Sequence, residues 1–144
     1  CFGFLFFNWP KAIIFMGDSG SIFLGYVFGA LIVYSSLTGE ITIFTWLIVF
    51  GYYLSDTSMT TLIRIIIMKK WYHTHRSHAY QNLARILNSH YKVTTGVILF
   101  HLFWLCPLSI ASVLIPNYSI ILVILAYIPP ILWTLKFGPL FSRE

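Results

Sequence analysis

Residues 19–38, SGSIFLGYVFGALIVYSSLT, run for twenty positions without a charge, and their reading decides the fold. Twenty residues at a helical rise of about 1.5 Å match a bilayer hydrocarbon core of roughly 30 Å. Outward from this run, further apolar stretches occupy about 41–58, 94–115 and 119–137. Gly39-Glu40 turns the chain between the first two, and Pro116-Asn117-Tyr118 joins the last two. Residues 1–7 are also apolar but too few to cross. They read as the tail of a helix, with Asn8-Trp9-Pro10-Lys11 marking its exit from the membrane. The expectation is an all-α, multi-pass integral membrane helix bundle, with about four transmembrane helices plus the tail of a preceding one. A chain that opens on Cys1 and an apolar run, without the charged start of a signal peptide, reads as a fragment.

Composition agrees. A soluble domain is about one quarter charged, whereas this chain is 9% charged and 58% hydrophobic. It cannot clothe a globular surface in polar groups, so lipid is its main solvent. The net charge of +5 does not point to nucleic acid, because the basic residues lie between apolar runs. With the four spans drawn as above, Lys11, Arg64, Lys69, Lys70, Arg76, Arg85, Lys92, Lys136 and Arg143 all fall on one side or at its edge. The opposite loops hold only Glu40. Cationic loops stay in the cytoplasm. That side, with the long polar loop at about 59–93, is therefore expected to be cytoplasmic, in the cell membrane.

Within the spans, the helix starting at Ile41 is expected to bend or break near Asp56, and Pro107 and Pro129-Pro130 to kink the last two. Gly25 and Gly29 form a small-xxx-small pair that a neighbouring helix could approach closely. Cys106 reads as a small buried hydrophobe, and His101 as the donor or acceptor of a neutral interhelical hydrogen bond.

Only four acids occur, and two are oddly placed. Asp18 stands between glycines, directly before a membrane helix. It reads either as a cap or first-turn acid favoured by the helix dipole, or as a ligand-binding group that Gly17 and Gly20 let a substrate approach. Asp56 interrupts an apolar helix, where an ionisable group marks a functional candidate; the bland alternative is a polar residue at the membrane surface. The third cluster is His73, His75, Arg76 and His78. No Cys or acid lies nearby to complete a tetrahedral zinc site. A basic loop against lipid headgroups is one reading, and an anion site in which imidazole and guanidinium hold phosphate oxygens is the better one. Two acids and this cluster on one membrane face suit Mg²⁺ and a diphosphate, hence phosphoryl transfer. Gly17-Asp18-Ser19-Gly20 also looks like the nucleophile segment of trypsin-like proteases, but those are soluble β-barrels and Ser19 opens a lipid-spanning helix. A transporter fragment with Asp56 as ion or proton site is the reading from another class, and a purely structural subunit the third.

Pro10 to Ser21, with Phe15-Met16-Gly17-Asp18-Ser19-Gly20-Ser21 at its core, closely resembles the F-M-G-D-x-G-S motif of the polyprenyl-phosphate N-acetylhexosaminyl-1-phosphate transferases, of glycosyltransferase family 4 type. Leu54-Ser55-Asp56-Thr57 resembles the family's I-x-D-T segment. His75-Arg76-Ser77-His78 is similar to its H-x-H-H loop motif, departing from it at Ser77, and the form H-R-S-H-A-Y-Q looks like the O-antigen-initiating branch. The resemblance implies that residues 1–144 are the C-terminal part of a single polytopic transferase domain. It implies transfer of an N-acetylhexosamine 1-phosphate from a UDP-sugar to a polyprenyl (undecaprenyl) phosphate, with Asp18 binding Mg²⁺. His75, Arg76 and His78 would hold the diphosphate, and Asp56 would act in the pocket as a second catalytic acid. A homodimer is compatible with it. The family's upstream D-D and N-x-x-N-x-x-D-G motifs do not occur here, so this piece alone is expected to be inactive.

Overall fold

The structure, a computed structural model, describes residues 2–9, 12–67 and 78–140, and among these it is helical throughout, without a strand. It divides into two units, residues 1–41 and 42–144.

The first unit holds helix α1 (Phe2–Asn8) and helix α2 (Gly17–Thr38). After α1 the chain folds back on the helix end: the Ile13 amide donates to Phe7 O at 3.0 Å, and Asn8 Nδ2 donates to Ile14 O at 2.9 Å. Gly17 then opens α2 with φ 63°, a left-handed conformation that a side chain would strain. Two serines of α2 hand their hydroxyls to the preceding turn, Ser21 Oγ to Gly17 O at 3.0 Å and Ser35 Oγ to Ile32 O at 3.3 Å. Gly39, at φ 75°, ends it. Gly25 and Gly29 have nothing within 4 Å of where a Cβ would stand, so among the described residues no helix uses the small-residue pair.

The second unit is a bundle of α3 (Ile43–Val49), α4 (Gly51–Ile67), α5 (Ala79–Ile86), α6 (His90–Phe100), α7 (Cys106–Leu114) and α8 (Ser119–Phe137). Helices α3 and α4 both pack on α8, and α7 packs on α3. Ile48, Tyr52, Leu105 and Ala126 form the apolar centre. Beside it runs a chain of buried hydroxyls: Thr42 to Thr45 at 3.2 Å, Thr45 to Ser112 at 3.0 Å, and Ser112 to Ser119 at 3.1 Å. Hydroxyls linking helices in this way are the glue of membrane bundles. The outside is the reverse of a water-soluble protein: Ser112 and Thr60 are fully buried, while Leu114 and Phe103 are more than two thirds exposed. Lipid is the solvent that this surface fits.

Among the described residues three helical stretches are long and apolar enough to cross a membrane: Gly17–Thr38, His90–Leu114 and Pro116–Phe137. The other expected crossing, 41–58, falls on α3 and the start of α4. The break there comes at Phe50, six residues before Asp56, because of Tyr127. Its hydroxyl donates at 3.1 Å to Leu47 O, the acceptor that the Gly51 amide would use in an unbroken helix, and its ring packs against Gly51. Asp56 itself sits within regular helix. The stretch expected as a loop at 59–93 is partly helical, containing the end of α4, all of α5 and the first turn of α6.

Pro107 acts one turn upstream. A proline has no N–H for the carbonyl four residues back, and residues His101–Leu105 widen into a π-turn, with the Cys106 amide donating to His101 O. Pro129 and Pro130 lie inside an α8 that stays continuous. Two expectations are corrected. Cys106 is exposed and not buried. His101 donates Nδ1–H to Val97 O at 2.8 Å within its own helix, so its bond is intrahelical.

Candidate functional site

Asp18 lies in the first turn of α2. Asp18 is a first-turn acid that the helix dipole favours but not a cap: the N-cap position is Met16, with no side-chain cap bond, and among the described residues no hydrogen bond or ion pair engages the Asp18 carboxylate. It is exposed, with its lone pairs open to a ligand and the positive end of the α2 dipole behind it. The left-handed Gly17 and a Gly20 covered by the Met16 side chain shape the backbone on either side.

Asp56, in the second unit, is 4% exposed and fully engaged. Its Oδ2 accepts from His78 Nδ1 at 3.0 Å, and its Oδ1 from the Ala79 amide at 3.2 Å. Thr134 Oγ1, which also donates to Pro130 O at 2.9 Å, lies 3.3 Å from Oδ1. A carboxylate on α4 thus caps the start of α5 and touches α8. Because a carboxylate only accepts, Nδ1 of His78 carries the proton and the ring is held in one orientation. Tyr80 stacks on the same imidazole, centroids 5.9 Å apart. Asn82 completes the joint, its Nδ2 donating to Phe137 O at 2.7 Å and Gly138 O at 3.1 Å, carbonyls that the end of α8 leaves without helical partners.

Of the residues named from sequence, the structure therefore pairs Asp56 with His78. Asp18 belongs to the other unit, and His75 and Arg76 lie outside the described residues. Thr134 and Asn82 were not anticipated; a lone Thr between Trp133 and Leu135 and an amide beside Gln81 in α5 are their only sequence signals.

A divalent cation fits one of the two acids. Mg²⁺ takes one or two carboxylates together with substrate phosphates. The Asp18 carboxylate is available for that, whereas both Asp56 oxygens are taken by protein donors. Among the described residues no group of three or more His, Cys, Asp or Glu gathers as a self-sufficient metal cage. A single open acid at a helix start, flanked by strained and small glycines, is the motif quoted above, and comparison with known proteins tests it. Residues 1–36 match the family model Glycosyl transferase family 4. The chain is also 36% identical over 91 residues to a protein of Bacillus subtilis (strain 168) named probable undecaprenyl-phosphate N-acetylglucosaminyl 1-phosphate transferase. That alignment covers 61% of this chain and 25% of the relative, so the chain spans about a quarter of the curated protein it matches. No solved structure matches. The family match includes the whole of Phe15 to Ser21, and with it Asp18.

Proposed function

We infer that this chain is part of a membrane enzyme that moves a sugar 1-phosphate from a nucleotide sugar to a polyprenyl phosphate. The observation that carries the reading is the open Asp18 carboxylate within the stretch matching Glycosyl transferase family 4. The finer assignment is a UDP-N-acetylhexosamine donor, with the O-antigen-initiating type of enzyme as its nearest branch. A phosphate oxygen of the acceptor forms a bond to the sugar-bearing phosphorus, the bond to the bridging oxygen breaks, and UMP leaves with that oxygen. The product is a polyprenyl-diphospho-sugar.

In this scheme Asp18 holds Mg²⁺, whose chemistry when bound is to neutralise charge on the diphosphate. By the family's loop motif His75, Arg76 and His78 would hold the diphosphate, and Asp56 fixes the orientation of the His78 ring. Asp56 acts as a positioning residue rather than as a group touching substrate, since its two oxygens are spent on His78, α5 and α8. The active-site side is cytoplasmic.

The test is lipid labelling by the full-length parent protein in membranes, with a radiolabelled UDP-N-acetylhexosamine and polyprenyl phosphate. Asp18→Asn should lower Mg²⁺-dependent turnover on the order of 100-fold or more while leaving the melting temperature unchanged. Near-normal turnover in a folded Asp18→Asn protein removes the metal role.

A further inference from the structure

The second unit contains a cavity of about 320 Å³ that the site above does not use. One wall is a face of α6, with Val93, Val97 and Phe100; Leu83 of α5 and Trp133 of α8 close the other sides. The lining is almost wholly apolar, and Lys92 is its one charged residue. Lys92 is exposed and lies in the first turn of the membrane-spanning stretch that begins at His90, where a span meets the headgroups. From Lys92 to Phe100 the wall descends eight residues, about 12 Å at helical rise. One leaflet of a hydrocarbon core is about 15 Å deep. The cavity is thus a half-open slot with the depth of one leaflet and a cation at its mouth. Gly96 stands in its wall with nothing within 4 Å of its Cβ position, so the slot passes over that glycine.

We propose that this slot binds one acyl chain of an anionic phospholipid, with Lys92 on the phosphodiester. The volume is at the lower end of small-molecule pockets, which suits a single chain. The lone cation selects a negative headgroup over a zwitterionic one. The depth favours a chain that ends within its leaflet over a long isoprenoid. This site is separate from the sugar-phosphate chemistry and stands whether or not that reading holds.

Native mass spectrometry of the detergent-purified protein, titrated with phosphatidylglycerol or phosphatidylcholine, tests it. The wild-type protein should retain one phosphatidylglycerol about tenfold more strongly than phosphatidylcholine, a difference of about 1.4 kcal/mol. Gly96→Leu puts a branched side chain into the slot from a position where a Cβ meets nothing within 4 Å, and should lose retention of both lipids. Lys92→Ala, an exposed change that leaves the fold alone, should keep retention but lose the preference. Equal retention by Gly96→Leu and wild type overturns the slot; an unchanged preference in Lys92→Ala overturns the headgroup contact. Displacement of the bound lipid by equimolar polyprenyl phosphate would overturn the choice of occupant.

Discussion

Asp56 combines two roles that a change of charge without a change of shape can separate. In Asp56→Asn the amide oxygen still accepts from the Ala79 amide, so α5 stays docked. The amide nitrogen then faces His78 Nδ1, which can no longer be the protonated nitrogen. The expected outcome is a melting temperature within a few degrees of wild type and nucleotide-sugar turnover lowered about 10- to 100-fold. Unchanged turnover would show that the imidazole's orientation is immaterial. Asp56→Ala differs in kind, because it strands buried donors and should cost roughly 3 kcal/mol in stability as well. Asp18, Asp56 and His78 stand out in the sequence as candidates because ionisable groups are rare in so apolar a chain, and the structure pairs Asp56 with His78. Their other partners do not. Thr134 and Asn82 are ordinary polar residues until the fold brings them to Asp56 and to Phe137 O, across separations of 78 and 55 residues.

Helix α5 has eight residues, too short to be stable by itself in water. It exists because Asp56 caps its first turn and Asn82 ties its middle to the end of α8. Asn82→Leu should therefore release α5 selectively. Hydrogen exchange should show lost protection over 79–87 with α6 to α8 unaffected, and nucleotide-sugar use should fall with it, since His78 opens that helix. Protection unchanged over 79–87 would mean that the Asp56 cap alone suffices. The sequence predicted a polar loop here because eight amphipathic residues between charged stretches carry too little periodicity to announce a helix. The same limit moved the break in the 41–58 span. Asp56 is the conspicuous interruption, yet the bond that opens the helix comes from Tyr127, eighty residues away along the chain.

At the scale of the whole chain, the spans at 19–38, 94–115 and 119–137 and the all-helical class were plain from apolar run length, the one signal that needs no tertiary context. The sidedness expected from the basic loops can be checked directly. In a background lacking Cys1 and Cys106, His90→Cys should react with a membrane-impermeant maleimide only after cells are opened, and Asn117→Cys in intact cells. The opposite pattern would reverse the orientation.

The bond from Asn82 to the last carbonyls of α8 has a mechanical consequence. Helix α8 is nineteen residues, about 28 Å, a rod of fixed length in a film whose thickness varies with its lipids. A thinner or thicker bilayer changes the rod's lean, and whatever is fastened to its tip is carried sideways with it. His78 is fastened there through α5. The proposed turnover of the full-length parent should thus peak in vesicles whose chains match α8 and decline in both shorter- and longer-chained ones, its rate following the caliper of the membrane around it.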